Sequence, residues 1–220
     1  MNETYTHITM ILDRTGSMES IRHDTIGGFN AFLQGQKAAP GTATLTLVQF
    51  DSQDPYEVIH NFVPIALAAE LTPETYVPRA STPLFDALGR GILDLERSLT
   101  LLPADQRPGH VVFVVITDGQ ENASREFSRE QVQKMIHEKQ EADGWDFVFL
   151  SADLAAIAEA GDIGVAHHAT LAFDKDGQGT RDAFASLGAC MELKRSSPIG
   201  TRTKFRKADR AKQRNEKRRA

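Results

Sequence analysis

Short apolar runs alternate along this chain with longer stretches in which apolar residues recur at helical spacing. Apolar runs bounded by turn-forming residues are typical of buried strands. The predicted strands cover residues 6–12, 43–50, 56–63, 110–117, 145–150 and 165–173. The predicted helices cover residues 18–38, 83–101, 127–142, 153–160 and 178–191. This alternation indicates an α/β protein built from strand–helix–strand units.

The connection between the second and third predicted strands differs from the others. Residues 51–55 are too few for a crossover helix, so these two strands should form an antiparallel hairpin at a sheet edge. The remaining connections carry helices and should be right-handed and parallel. We therefore expect a mostly parallel six-stranded sheet with one antiparallel edge strand, covered by helices on both faces.

Charge divides the chain into two unequal parts. Residues 1–193 contain 13 Lys and Arg and 28 Asp and Glu, a net charge of −15. Residues 194–220 contain 12 Lys and Arg and only two acidic residues, a net charge of +10. This pattern predicts one domain over 1–193 and a basic, flexible tail over 194–220. Such a tail is disordered, contacts a polyanion such as nucleic acid, or folds back onto the acidic domain.

The remaining composition excludes several classes of protein. At 220 residues and 40% hydrophobic content, the chain can bury one substantial core. No run approaches the roughly 18–20 apolar residues that span a bilayer, and the first residues lack the features of a secretory signal. Cys190 is the only cysteine, so no disulfide can form within the chain. These features predict a cytoplasmic protein without membrane contact.

Three short segments carry oxygen-bearing side chains at positions that could converge. Asp13, Thr15 and Ser17 follow the first predicted strand, Thr82 precedes a helix, and Asp118 follows the fourth strand. Ligands of α/β sheets gather beyond the carboxyl ends of the strands. Carboxylate and hydroxyl oxygens suit a hard divalent cation, so we predict a Mg²⁺ or Mn²⁺ site. Taken singly, Ser17 and Thr82 could equally begin helices, and Asp118 could belong to an ordinary turn.

The order Asp-x-Thr-x-Ser, then Thr, then Asp resembles the metal-ion-dependent adhesion site (MIDAS) of von Willebrand factor A (vWA) domains, here of a bacterial intracellular type. Thr15 stands where Ser is usual and keeps the hydroxyl. The resemblance implies a Rossmann-like three-layer α/β/α fold over most of the chain. It also implies an open coordination position that a partner protein fills with an Asp or Glu carboxylate. On this basis we expect a non-enzymatic, Mg²⁺-dependent protein-binding module that acts as an adaptor in an intracellular multiprotein assembly.

Two other functions remain as alternatives. One is a nucleic-acid-associated protein that uses the basic tail. The other is a metal-dependent, phosphatase-like enzyme, which the sequence disfavours because Thr15 replaces the second carboxylate of the Asp-x-Asp motif of haloacid-dehalogenase phosphatases. Four further polar residues are candidates for supporting roles. Asp51, at the end of the second predicted strand, could lie near the crevice, and Asp86 could supply a carboxylate at the start of the 83–101 helix. Glu121 and Asn122 could tune the site, contact a partner or belong to a polar loop.

Overall fold

A computed structural model describes residues 2–215 of the chain. Its strands are β1 (Asn2–Asp13), β2 (Thr42–Phe50), β3 (Glu57–Pro64), β4 (Pro108–Thr117), β5 (Asp146–Ser151) and β6 (Thr170–Ala172). Its α-helices are α1 (Arg22–Ala38), α2 (Leu84–Leu101), α3 (Arg129–Ala142), α4 (Leu154–Asp162), α5 (Gly177–Arg195) and α6 (Lys207–Asn215). A 3-10 turn at Gly16–Ile21 leads into α1.

The strands form one six-stranded sheet in the order β3-β2-β1-β4-β5-β6. Neighbouring strands are parallel except for β2 and β3, which form the antiparallel edge hairpin. The central strand β1 pairs with β2 and β4, so that Ile8 faces Leu45 on one side and Val112 on the other. The predicted fold class is therefore confirmed, including its antiparallel edge strand.

Helices cover both faces of the sheet, as the continuous apolar runs of the central strands require. On one face α1 and α5 pack over Met10 and Leu12 of β1, and on the other α2, α3 and α4 pack over Ile11. The α1–α5 contact is close at Gly28, where a Cβ would lie 2.4 Å from the ring of Phe184. The two cores fix the orientation of β1 and β4, and with it the loops that follow these strands.

The described part of the basic C-terminal segment lies against the domain. Helix α5 continues through Lys194 and Arg195, so the predicted boundary after residue 193 falls inside a helix. Beyond it, Phe205 is buried and its amide donates to the carbonyl of His168 at 2.9 Å. For these residues the structure corresponds to the folded-back alternative. The prediction of a flexible tail also covers residues 216–220, which lie outside the described residues.

No helix within residues 2–215 combines the length and the apolar character needed to cross a membrane.

Candidate metal centre

Asp13 is the last residue of β1, and its carboxylate organises the loop that follows. Its Oδ1 accepts a hydrogen bond from the amide of Thr15 at 2.7 Å, and its Oδ2 accepts one from the Thr117 hydroxyl at 2.5 Å. The first bond turns the chain back over the strand end, as an Asp side chain commonly does in a turn. The second ties the end of β1 to the end of β4. Asp13 is therefore fixed between the two central strands.

Asp118 follows β4 directly and meets the first loop. Ser17 Oγ donates to Asp118 Oδ1 at 2.5 Å, and Thr15 Oγ1 lies 3.1 Å from Ser17 Oγ. Asp13, Thr15 and Asp118 are buried, whereas Ser17 is exposed. The structure thus brings four of the five predicted ligands into one chain of contacts, with Ser17 on the solvent side.

Thr82, the fifth predicted ligand, is buried in the loop before α2. Its amide donates to Asn122 Oδ1 at 2.9 Å, and its carbonyl accepts from the amide of Asn122 at 3.0 Å. A Cβ placed on Gly119 would lie 3.8 Å from Ser17 Oγ and 3.9 Å from Thr82 Oγ1. The hydroxyls of both residues therefore lie within 4 Å of one point beside Gly119, and all three segments meet at this edge.

The loop that contains Asp118 is held by carboxylates that bind backbone amides. Glu121 accepts from the amides of Phe85 at 2.9 Å and Ser124 at 2.7 Å. Asp86 accepts from three consecutive amides of residues 125–127 at 2.9 Å. Asp86, Glu121 and Asn122 thus join the β4–α3 loop to the start of α2. They position Thr82 and Asp118 relative to each other.

A buried ion-pair network supports the other side of the site, and sequence reasoning did not find it. Arg14, between two predicted ligands, donates from Nε to Asp51 Oδ2 at 2.9 Å. Arg79 Nε donates to the same oxygen at 3.0 Å, and the Arg79 amide donates to the Arg14 carbonyl. Burial by itself raises the pKa of Asp51, but hydrogen bonds from the amides of residues 53 and 54 and from Arg79 outweigh it, so that the pKa lies below its usual range. Asp51 therefore holds the guanidinium groups of Arg14 and Arg79 together, while the Arg79 amide fixes the Arg14 carbonyl.

The electrostatics of the site favour an added cation. Burial raises the pKa of Asp13 to about 7, although Thr117 and Thr15 donate hydrogen bonds to it, and the negative charge of Asp118 adds to the increase. The nearby hydroxyls of Thr15 and Ser17 carry no charge to offset the two carboxylates. Two carboxylates held this close are costly to ionise together unless positive charge lies beside them.

Lys175 supplies one such charge, and the sequence analysis missed it. Its Nζ lies 2.7 Å from Asp118 Oδ2. Lys175 belongs to the loop between β6 and α5, at the same carboxyl edge of the sheet as Asp13 and Asp118. The one available signal was this position after the last predicted strand, which does not reveal a contact across β5.

The residues at this edge fit a hard divalent cation. Two carboxylates and three hydroxyls converge, all of them oxygen donors of the kind that Mg²⁺ and Mn²⁺ prefer. Between residues 2 and 215, no group of three or more His, Cys, Asp and Glu side chains forms a metal site, so an ion here would depend on hydroxyl ligands. Asp13, Thr15, Ser17, Thr82 and Asp118 are the residues that would hold it.

Comparison with known proteins gives structural matches only. No family model and no curated protein matches the sequence. The SpaC pilus adhesin of Lactobacillus rhamnosus GG aligns over 88% of this chain and 30% of its own, with a TM-score of 0.65 and 11% identity. Proximal thread matrix protein 1 of the mussel byssus, solved with a zinc-occupied MIDAS motif, aligns over 90% of this chain and 48% of its own, with a TM-score of 0.58 and 13% identity.

A von Willebrand factor type A structure from Catenulispora acidiphila aligns over 87% of this chain and 43% of its own, with a TM-score of 0.56 and 13% identity. The chain thus spans less than half the length of these solved chains. At such low identity the likeness establishes the fold alone. The six-stranded sheet with its antiparallel edge, together with these matches, shows that the chain has the von Willebrand factor A fold.

Proposed function

We propose that this chain is a metal-dependent protein-binding module whose metal centre is formed by Asp13, Thr15, Ser17, Thr82 and Asp118. The observation that supports it most is the convergence of these oxygen donors, from three separate segments, at the carboxyl edge of the sheet. The matched structures include an adhesin and a matrix protein with a zinc-occupied MIDAS motif, which is consistent with a divalent metal.

Each residue has a distinct part in this proposal. Asp13 and Asp118 supply negative charge, while Thr15, Ser17 and Thr82 supply neutral hydroxyl oxygens. A divalent cation held by so few charges supplies a strongly positive centre that attracts a carboxylate. Because Ser17 is exposed, an Asp or Glu side chain of a partner protein can approach from solvent.

Mg²⁺ is the cation we propose, with Mn²⁺ as the other candidate, since both accept an all-oxygen ligand set. We further propose that the module acts as an adaptor in a cytoplasmic multiprotein assembly. The lone cysteine, Cys190, is buried and forms no disulfide within the chain, as is usual in the reducing cytoplasm.

The first experiment is thermal unfolding of the wild type in Mg²⁺, Mn²⁺ or Zn²⁺ against the same protein in chelator. A ligand that binds only the folded state must raise its stability, so we expect a higher Tm with metal. Asp118→Ala should abolish the increase, because it removes one of two charged ligands. Asp105→Ala, which changes an exposed acidic residue in the α2–β4 loop, is the matched control and should keep the full increase.

The proposal fails if the wild type and Asp118→Ala respond equally to metal at millimolar concentration. Calorimetric titration with Mn²⁺ then gives the stoichiometry, which should be one ion per chain. A partner found afterwards should bind in Mg²⁺ and be released by chelator. Partner binding that persists fully in chelator would contradict the adhesion-type mechanism.

We also propose that the module is not an enzyme. The phosphatase-like alternative needs a second carboxylate two residues after Asp13, and Thr15 lies there with its hydroxyl turned to Ser17. Hydrolysis of p-nitrophenyl phosphate in Mg²⁺ at a rate that Asp13→Asn abolishes would contradict this proposal.

Polyanion binding by the basic C-terminal segment stays a prediction. Lys204, Arg206 and Lys207 are exposed, and five further basic residues follow residue 211 in the sequence. Removing residues 212–220 tests it without disturbing the buried Phe205. If the segment binds nucleic acid, affinity should fall steeply with salt, and the truncation should flatten that dependence.

A further inference from the structure

The Lys175–Asp118 ion pair has a geometry that bears directly on metal loading. Lys175 Nζ lies 2.7 Å from Asp118 Oδ2, and the side chain of Asp118 is completely enclosed. No donor among the described residues makes a hydrogen bond to this oxygen, so the ion pair with Lys175 is the polar contact that the structure gives it. Lys175 is therefore the counter-charge of one of the two carboxylates that would bind the metal.

Lys175 can leave this position more easily than the groups around it. Its side chain is 39% exposed, and it projects from a loop rather than from a strand or a helix. A lysine carries a compact charge on a flexible stem, which can reorient without moving the backbone. Asp118, by contrast, follows β4 directly and is held by Ser17.

A divalent cation and the Lys175 ammonium cannot both remain at Asp118 without cost. Both would lie within a few ångströms of the same buried carboxylate, and like charges at this separation repel strongly where water is excluded. Binding of one therefore weakens binding of the other, and the effect is reciprocal.

We propose that Lys175 is a built-in competitor of the metal: it pairs with Asp118 in the metal-free protein and moves away when a divalent cation binds. This inference rests on the proposed function, because it concerns the same site. Lys175 thereby sets the metal concentration at which the module becomes competent to bind a carboxylate. It also keeps the buried Asp118 paired while no metal is present.

The test compares Mn²⁺ and Mg²⁺ binding by the wild type, Lys175→Gln and Lys175→Arg, measured by calorimetric titration with each metal alone. Removing the competing charge should lower the Kd for metal in Lys175→Gln by about tenfold or more. Lys175→Arg keeps a cation and should stay much closer to the wild type. Lys134→Gln, which removes an exposed lysine of α3, should change nothing.

The metal-free and metal-loaded proteins should also differ in stability. In chelator, Lys175→Gln should have a lower Tm than the wild type because Asp118 loses its counter-charge. In saturating metal the difference should shrink or reverse, so the metal-induced rise in Tm is larger in the variant.

A second measurement uses the unmodified chain and does not depend on the variant folding. Brief acetylation of lysines, read out by mass spectrometry, should modify Lys175 faster in Mg²⁺ than in chelator, while Lys134 reacts equally in both. Equal or slower modification of Lys175 in metal would overturn the inference.

The two failures can be told apart. If the wild type binds metal in an Asp118-dependent manner but Lys175→Gln binds it no more tightly, only the competition is wrong. If neither protein binds Mn²⁺ or Mg²⁺, the proposed metal function fails and the inference fails with it.

Discussion

Buried carboxylates occur at both edges of the same sheet, and their negative charges are neutralised in different ways. At the amino edge, Asp146 opens β5 and is paired with Lys194 at 2.6 Å. Thr203 donates to the same carboxylate at 2.9 Å, and Arg202 Nη1 lies 3.7 Å from it. Cations of the chain itself thus surround Asp146, and Lys194 is itself buried.

At the carboxyl edge the balance is incomplete. Asp13 and Asp118 are surrounded mainly by neutral hydroxyls, and within the described part of the chain the ammonium beside them belongs to Lys175, which is 39% exposed. We call Asp146 with Lys194, Arg202 and Thr203 the closed cluster, because groups of the chain itself neutralise and bind its carboxylate. At the carboxyl edge, by contrast, Lys175 is a counter-charge that a cation from solution can replace. The closed cluster is therefore a structural ion pair, whereas the carboxyl edge is suited to an ion from solution.

The loops at the two edges differ in backbone conformation too. Ala80, whose carbonyl accepts from the Gly16 amide next to the site, has φ +60°. Gly200, in the turn that follows α5, has φ +84°. A left-handed conformation is costly for alanine and free for glycine, so backbone strain lies at the candidate site and not in the C-terminal turn.

The largest effect that we expect comes from breaking the closed cluster. Asp146→Asn leaves Lys194 buried without a counter-charge and should lower the free energy of unfolding by about 3–5 kcal/mol. Urea denaturation measures this loss. The double variant Asp146→Leu/Lys194→Met should recover much of it, and a loss below about 1 kcal/mol for Asp146→Asn would contradict the comparison.

Asp51→Asn should have the next largest effect, because it removes the charge that holds Arg14 and Arg79. We expect a loss of about 1.5–3 kcal/mol at neutral pH, the range for hydrogen bonds to charged groups. Since the folded pKa of Asp51 is lowered, its contribution is present above pH 4 and is lost as the pH falls through the folded pKa. Urea denaturation of wild type and variant should therefore converge in acid.

Asp13→Asn should separate metal binding from stability. The amide oxygen can still accept from the Thr15 amide, and a neutral group suits a position where burial already raises the pKa to about 7. In chelator we expect a change below about 1 kcal/mol, whereas the metal-induced rise in Tm should disappear. A large loss of stability in chelator would mean that the folded chain depends on the Asp13 carboxylate without metal, as it depends on Asp146 at the amino edge.

Substitutions at the left-handed positions of the two loops should have small effects of opposite sign. Ala80→Gly should stabilise the protein by about 0.5 kcal/mol, since relief of the left-handed strain exceeds the added chain entropy. Gly200→Ala should destabilise it by about 1 kcal/mol, because no atom lies within 4 Å of the new Cβ and the backbone alone decides the cost. Equal signs in thermal unfolding would contradict the assigned conformations.

The sequence predicted the fold because each element carries a local signal. The apolar run before Asp13 and the one before Asp118 mark the two central strands, and the five-residue connection at 51–55 excludes a crossover helix. The five candidate ligands follow from their order along the chain relative to these elements. The structure brings them together, and the identity of the cation stays a prediction.

Other parts of the site could not be predicted because they depend on contacts between distant loops. The sequence assigns no role to Arg14 or Arg79, and only the fold shows that both donate to Asp51. The sequence offers Asp86 as a carboxylate at a helix start and Glu121 as a loop residue, but it does not indicate which amides they bind, at the start of α2 and in the loop before α3. No periodicity or motif marks such contacts, since each joins segments about 30 to 40 residues apart.

The sequence by itself determined the order of strands and helices, because burial of apolar residues imposes a period on each element. The short connection at 51–55 determined the antiparallel edge, and the positions of the oxygen-rich segments follow from where the strands end. Only the tertiary structure decided which charges meet. It set Lys194 against Asp146 and Lys175 against Asp118, and it laid Phe205 against the domain. Ion pairing depends on the distance between two groups in space, and nothing in the local sequence around one charged residue indicates which distant residue it will meet.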